Sequence, residues 1–188
     1  AVIERITRFV ARTLGVEAKH TLVTRDELLL LVEDSEKPGL TATLPERERQ
    51  MIRSVLSFGE TTVRDVMVPL SEVTVLPREA TIIEAAQTIA EHQITRMPIY
   101  HQRADNIVGV VTAHEVLAAE TAGTAGTVAD IASKLLYVPE SKLAADLLIE
   151  LQQAHKHLAI VVDEYGGATG ICTTEDILEQ IVGEIEDE

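Results

Sequence analysis

The sequence predicts an α/β (α+β) fold made of two tandem repeats, each a small sheet packed with helices, with further helices ahead of them. Three observations carry this reading. The stretch GICTTEDILEQI (170–181) reads as a short apolar strand, 169–172, running into a helix that opens at Thr173. GVVTAHEVL (109–117) echoes it 61 residues earlier, with Gly109, Thr112 and Glu115 over Gly170, Thr173 and Asp176. A unit of about 60 residues is marginal alone, because it buries too small a fraction of its surface, and two such units packed together share a core.

The elements follow in order. In residues 1–15, Val2, Ile3, Ile6, Phe9, Val10 and Leu14 have the spacing of an amphipathic helix, which Gly15 stops. Thr24 to Glu27 is a capping box for a helix that runs to Asp34, and Lys37-Pro38-Gly39 breaks it. Thr43-Leu44-Pro45-Glu46 opens another, with Met51, Ile52, Val55 and Leu56 on one face and Gly59 at its end.

The repeats begin after it, each as lead-in segment, strand, helix, strand, strand, helix. TVRDV (62–66) lies over TVADI (127–131), offset by 65. VTVLP (73–77) lies over LLYVP (135–139), offset by 62, each followed by a polar helix start, Thr81 or Ser141. RMPIY (96–100) lies over HLAIV (157–161), offset by 61. AETAGTAG (119–126) is the small, polar linker between repeats, and it lacks the lysine and spacing of a phosphate-binding P-loop. The resulting division is 1–60 N-terminal helices, 61–122 first repeat, 123–183 second repeat and 184–188 acidic tail.

Composition narrows the function. Hydrophobic residues make up 46%, ordinary for a globular chain, but aromatics only 3% with no Trp, so a flat ligand would lie between aliphatic side chains. A net charge of −15 argues against nucleic acid as partner and against docking on anionic lipid, and is compatible with divalent cations. The single cysteine, Cys172, falls in a core strand, excludes an internal disulfide and fits a reducing compartment. The longest strongly apolar run, 28–32, is far short of the ~20 residues that span a bilayer. Six scattered histidines give no zinc spacing, and no nucleophile–base constellation is visible.

The order of elements, the paired strand-Thr-x-x-acid-helix signature and the Arg-x-Pro-Ile strand resemble a CBS-domain pair, or Bateman module. MIRSVL (51–56), TVRDVMVP (62–69), NIVG (106–109), HLAIVVDEYGG (157–167) and EDILEQIVGEIEDE (175–188) resemble more closely the CorC/CNNM family of magnesium-transport membrane proteins. The likeness covers residues 22–188 and is most specific over 157–183. It implies the regulatory region at the cytoplasmic face of a membrane, with the transmembrane domain outside this sequence and the N-terminal helices as connectors. It also implies a homodimer and an adenine nucleotide, ATP or else AMP or ADP, with Mg2+ held through the phosphates.

Two readings of Thr173-x-x-Asp176 coexist: a capping box, as at Thr24, Thr43, Thr81 and Thr112, or a nucleotide contact. A carboxylate can accept both ribose hydroxyls, while a Thr hydroxyl and helix N-terminal amides can donate to phosphate. The resemblance implies that Thr62, Val63 and the run Ile94, Thr95, Arg96, Met97, Pro98 form the other wall. Ile94, Met97 and Ile171 would sandwich adenine, and backbone groups near Val63 and Met97 would read its edge; without the resemblance, Ile94 and Met97 read as plain core. Arg96 is either a phosphate contact or a surface ion pair. Glu115, one methylene longer than Asp176, leads to the expectation that a second, equivalent site is weak or empty. The seven acids between Glu175 and Glu188 read as a solvated face or a low-affinity magnesium sensor, and Asp163 to Gly167 as a strand turn or a metal loop. No catalytic residue and no protein-made metal site is expected; the rival functions are a ligand-free dimerisation scaffold and a direct Mg2+ sensor.

Overall fold

The structure is a computed structural model that describes residues 45–183 together with Arg25. The chain divides into two compact units, Ala1–Arg49 and Gln50–Glu188. In the first unit the described residues include the opening of helix α1 (Glu46–Phe58), where Glu46 and Arg49 form an i, i+3 ion pair. The helices expected over 1–15 and 24–34, Thr43 itself and the tail 184–188 lie outside the described residues.

The second unit holds both repeats. After α1 come α2 (Val63–Val66), β1 (Val68–Pro69), a short 3-10 turn, β2 (Leu76–Pro77), α3 (Ile82–His92), β3 (Arg96–His101), β4 (Arg103–Thr112) and α4 (Ala113–Thr121). The second repeat supplies α5 (Val128–Ile131), β5 (Leu136–Pro139), α6 (Ala144–Gln153), β6 (Leu158–Val162), β7 (Ala168–Thr173) and α7 (Thr174–Val182). This is the tandem α+β arrangement that the repeat pattern predicts.

Several boundaries differ from expectation. The linker begins later, because α4 continues through Thr121. Ser141 does not open α6: its N-cap is Leu143, whose side chain has no acceptor to offer, and the free amide of Ala144 donates instead to the carbonyl of Thr61 at 2.9 Å. The strand expected over 73–77 shrinks to Leu76–Pro77.

The register of β6 also departs by one residue. Arg96 pairs with Thr112, whereas Leu158 pairs with Thr173, so the counterpart of Arg96 is Leu158 and the strand offset is 62, not 61. A one-residue slip reverses every side chain, and apolar runs such as RMPIY and HLAIV have no alternation that fixes it.

Sequence repeats and packing units do not coincide. The three-stranded sheet runs β2-β3-β4, but the four-stranded sheet runs β1-β7-β6-β5, with β1 contributed by the lead-in of the first repeat. Val68 and Pro69 pair antiparallel with Ile171 and Gly170. Ahead of β1, Val63 and Val66 are buried with Val138, Leu147, Leu151, Cys172 and Ile177, all from the second repeat. The reciprocal exchange holds as well. Val128 is buried among Ile82, Ile89, Met97 and Val111 of the first repeat, and Ser133 and Val110 exchange backbone hydrogen bonds of 2.9 and 3.2 Å.

Backbone hydrogen bonds fix both crossings: Val63 N to Lys142 O at 2.8 Å, and Val128 N to Ala80 O at 2.9 Å. The crossing strand passes so close to β7 that a Cβ on Gly170 would overlap the Val68 carbonyl oxygen; at the matching point, a Cβ on Gly109 would lie 2.9 Å from Ala132 Cβ. A third apolar cluster, with Ile107, Leu158, Ile160 and Ala168, joins the two sheets.

Candidate functional site

The two Thr-x-x-acid helix starts are built alike. Thr173 ends β7 in an extended conformation, and its amide and hydroxyl donate to Asp176 Oδ2 at 2.7 and 2.8 Å. The Asp176 amide returns a bond to the Thr173 hydroxyl at 3.2 Å. Thr112 and Glu115 repeat this box with distances of 2.9, 2.7 and 3.2 Å. The extra methylene of Glu115 therefore leaves the capping oxygen in place.

What separates the two is the second oxygen. Glu115 Oε1 accepts from the Ser133 hydroxyl at 3.3 Å, whereas Asp176 Oδ1 has no hydrogen-bond partner among the described residues. Burial pushes the Glu115 carboxyl up, but hydrogen bonds from the Thr112 hydroxyl and amide and from Ser133, with a weaker pull from His114, bring it below the ordinary glutamate value. The cation differs too. Arg96 opens β3 of the first repeat and reaches Glu175 in the first turn of α7, Nη1 to Oε1 3.7 Å. Its counterpart Leu158 is buried, and His114 stands where the second repeat has Glu175.

The remaining candidates fall into three places. Thr62 caps α2, its amide and hydroxyl donating to Asp65 Oδ2 at 2.9 and 2.6 Å. Val63 is fully buried and its amide is committed to Lys142. Thr95 is exposed, and its carbonyl accepts from the Ala113 amide at 2.8 Å. Ile94 packs half-buried on the first-repeat core, while Ile171 packs on the cluster between the sheets. Met97 is 0% exposed within the first-repeat core and Pro98 is buried beside it. The Met97 side chain thus packs as core, like that of Val63. Of the ten candidate residues, Arg96 is joined across the repeats by an ion pair to the first turn of α7, which Thr173 and Asp176 cap.

Sequence reasoning missed Glu175 as the partner of Arg96 and Ser133 as the partner of Glu115. Glu175 stood in view beside Asp176 but was read as part of an acidic face. Ser133 had no signal, because only the exchange of lead-in segments brings it to the first repeat.

The loop between β6 and β7 is a turn. Asp163 Oδ1 accepts from the amides of Tyr165 and Gly167 at 2.9 and 2.8 Å, and Gly166 takes φ +83°, which favours glycine.

The sequence model of the CBS domain matches this chain twice, over residues 63–121 and 128–183. The chain belongs to the CBS-domain family. Among solved structures, the CBS domain of a bacterial CNNM/CorC family Mg2+ transporter is 39% identical, covers 88% of this chain and 100% of its own, and superposes with a TM-score of 0.77. Another structure of such a CBS domain, solved in complex with ATP, is 41% identical over 74% of this chain and 99% of its own, with a TM-score of 0.70. The magnesium and cobalt efflux protein CorC of Escherichia coli K12 is 38% identical over 165 residues, 87% of this chain. This chain spans 56% of that relative's length. It is thus a CBS-domain pair of the CorC/CNNM type, a regulatory and non-catalytic kind of module. Among the described residues no helix is long and apolar enough to cross a membrane.

Proposed function

We propose that this CBS pair binds one adenine nucleotide, Mg-ATP, at the start of α7, and that occupancy is passed to the membrane domain of a CorC-like magnesium transporter. One observation carries the reading: a first-repeat guanidinium, Arg96, lies against the first turn of α7, one residue from a carboxylate whose Oδ1 is free. Asp176 Oδ1 can accept a ribose hydroxyl without breaking the cap. The α7 N-terminus and Arg96 suit phosphate. Thr62, Val63, Ile94, Thr95, Met97, Pro98 and Ile171 complete the proposed wall. The relative solved with ATP supports the choice of nucleotide.

Glu175 gives magnesium a role. Its carboxylate already pairs with Arg96, so phosphates arriving there meet a like charge. A magnesium ion on the phosphate oxygens cancels that repulsion without a protein cage. Binding is restricted to one site because the equivalent position has Leu158 in place of the cation and Ser133 on the carboxylate. A homodimer remains part of the proposal, supported by Ile83, Leu117, Ile149 and Leu178, apolar side chains left exposed on the helices.

Thermal unfolding with ATP, ADP and AMP, each with and without Mg2+, tests this. At a hundredfold excess over Kd, binding adds about 2.7 kcal/mol, a midpoint rise of roughly 5–10 °C for a chain of this size. Asp176→Ala is expected to abolish the rise, and Glu175→Gln to reduce its dependence on Mg2+. A response to Mg2+ alone would favour a direct cation sensor, and no response at all would favour a ligand-free scaffold.

A further inference from the structure

The two hairpin tips of the pair have diverged. The β3–β4 hairpin turns at Gln102, and Ala104, which the 61-residue offset sets over Tyr165, lies in β4 between Arg103 and Asp105, which neutralise one another through Nε to Oδ1 at 3.0 Å. The β6–β7 tip carries Tyr165, 95% exposed, more than any other large apolar side chain given for the described residues. Its backbone is held by the Asp163 carboxylate and by Asp163 N to Gly167 O at 3.0 Å, so the ring projects from a fixed support.

Carboxylates gather in the same loop and at its base, beside Tyr165 in the chain. Asp163 and Glu164 line a cleft of about 320 Å³ together with Glu140 and Arg64. Arg64 is already paired with Glu140 at 3.1 Å. Asp105 approaches from the neighbouring hairpin, 3.7 Å from where a Gly167 Cβ would sit, and is paired with Arg103. Neither Asp163 nor Glu164 has an ion-pair partner among the described residues. The tip is thus an aromatic knob with uncompensated negative charge and an open cleft at its foot.

We propose that the β6–β7 tip docks a Lys/Arg-rich polypeptide segment. A guanidinium or ammonium stacks on the Tyr165 ring, while Glu164 and Asp163 pair with neighbouring cations of the same segment. Tyr and Arg are enriched among the residues that anchor interfaces, and Tyr, with two side-chain torsions, loses little entropy on binding. Charge complementarity chooses this occupant: an acidic partner or an anionic lipid surface meets repulsion here. The proposal rests on the reading that the module serves a membrane domain, because cytosolic loops of membrane proteins carry the required excess of Lys and Arg.

The test places a photo-crosslinking p-benzoylphenylalanine at position 165 of the full-length, membrane-embedded protein, with the same probe at position 104 as the matched control. The expected result is a light-dependent adduct from 165 alone, mapped by mass spectrometry to a Lys/Arg-bearing segment of the membrane domain. Introducing Glu164→Lys is expected to lower its yield about tenfold, since like charges then face one another. An adduct to lipid, an adduct to the CBS repeats of a second copy, equal yields from 104 and 165, or no adduct overturns the proposal. ATP-dependent stabilisation of Tyr165→Ala separates the two readings. If stabilisation persists while the adduct is missing, only the docking surface fails; if the adduct persists without any ATP effect, only the nucleotide reading fails.

Discussion

Val63→Ala tests the exchanged architecture most directly. Val63 is 0% exposed and belongs, by sequence, to the first repeat, yet it packs in a cluster with Leu147, Leu151 and Ile177 of the second. Removing two buried methyl groups costs about 1.6 kcal/mol in transfer energy, and incomplete collapse of the cavity brings the loss to about 2 kcal/mol. That corresponds to a midpoint drop of about 4–8 °C. The decisive quantity is coupling. In a double-mutant cycle by urea denaturation, Val63→Ala with Ile177→Val should show an interaction energy of about 0.5–1 kcal/mol, because the two side chains share one cluster. Val63→Ala with Ile99→Val, whose side chain lies in the other cluster, should add to within about 0.5 kcal/mol. Coupling of Val63 to Ile99 rather than Ile177 would refute the exchange of lead-in segments.

Other expectations follow from the same contacts. Gly170→Ala sets a Cβ against the Val68 backbone and should destabilise by about 1–3 kcal/mol; Gly109→Ala, opposed by the Ala132 and Ile99 side chains, should cost less, as denaturation midpoints will show. Cys172 is buried, and burial, with a smaller push from Asp176, drives its thiol up to about 12. Ellman's reagent at pH 8 should therefore label it only as fast as the chain unfolds, and rapid labelling of the native protein would contradict this. Glu84 lies below its ordinary 4.5 because the Thr81 amide and hydroxyl donate to it, and Asp65 below 3.8 through the Thr62 hydroxyl and amide. A depressed folded value means that the stabilisation is complete above the unfolded value and fades as pH falls through the folded one. Stability should thus decline below about pH 4.5, and Glu84→Gln should flatten that decline in denaturation curves taken from pH 6 to 3.

The sequence by itself determined the number of repeats, the kind and order of their elements and the Thr-x-x-acid helix starts. All of these are local: a strand run, a polar cap and an acid three residues on are decided within a few residues. It also put Thr173 and Asp176 in view as a pair, and the double match to the CBS domain agrees with that repeat reading. Tertiary structure decided what depends on distant partners. The one-residue register of β6 is set by hydrogen bonds to β7, and it replaces an apparent His157 counterpart of Arg96 with Leu158. The burial of Met97 follows from helices packing over β3, whereas RMPIY by itself leaves a core role and a ligand contact both open. Above all, the crossing of the lead-in segments brings Ser133 to Glu115 and leaves Asp176 Oδ1 free, so two helix starts that read alike in sequence end in different chemistry. Capping is a short-range interaction and leaves its mark in spacing; the partner of a second carboxylate oxygen, 18 residues away, is fixed only when the lead-in segments cross between the repeats.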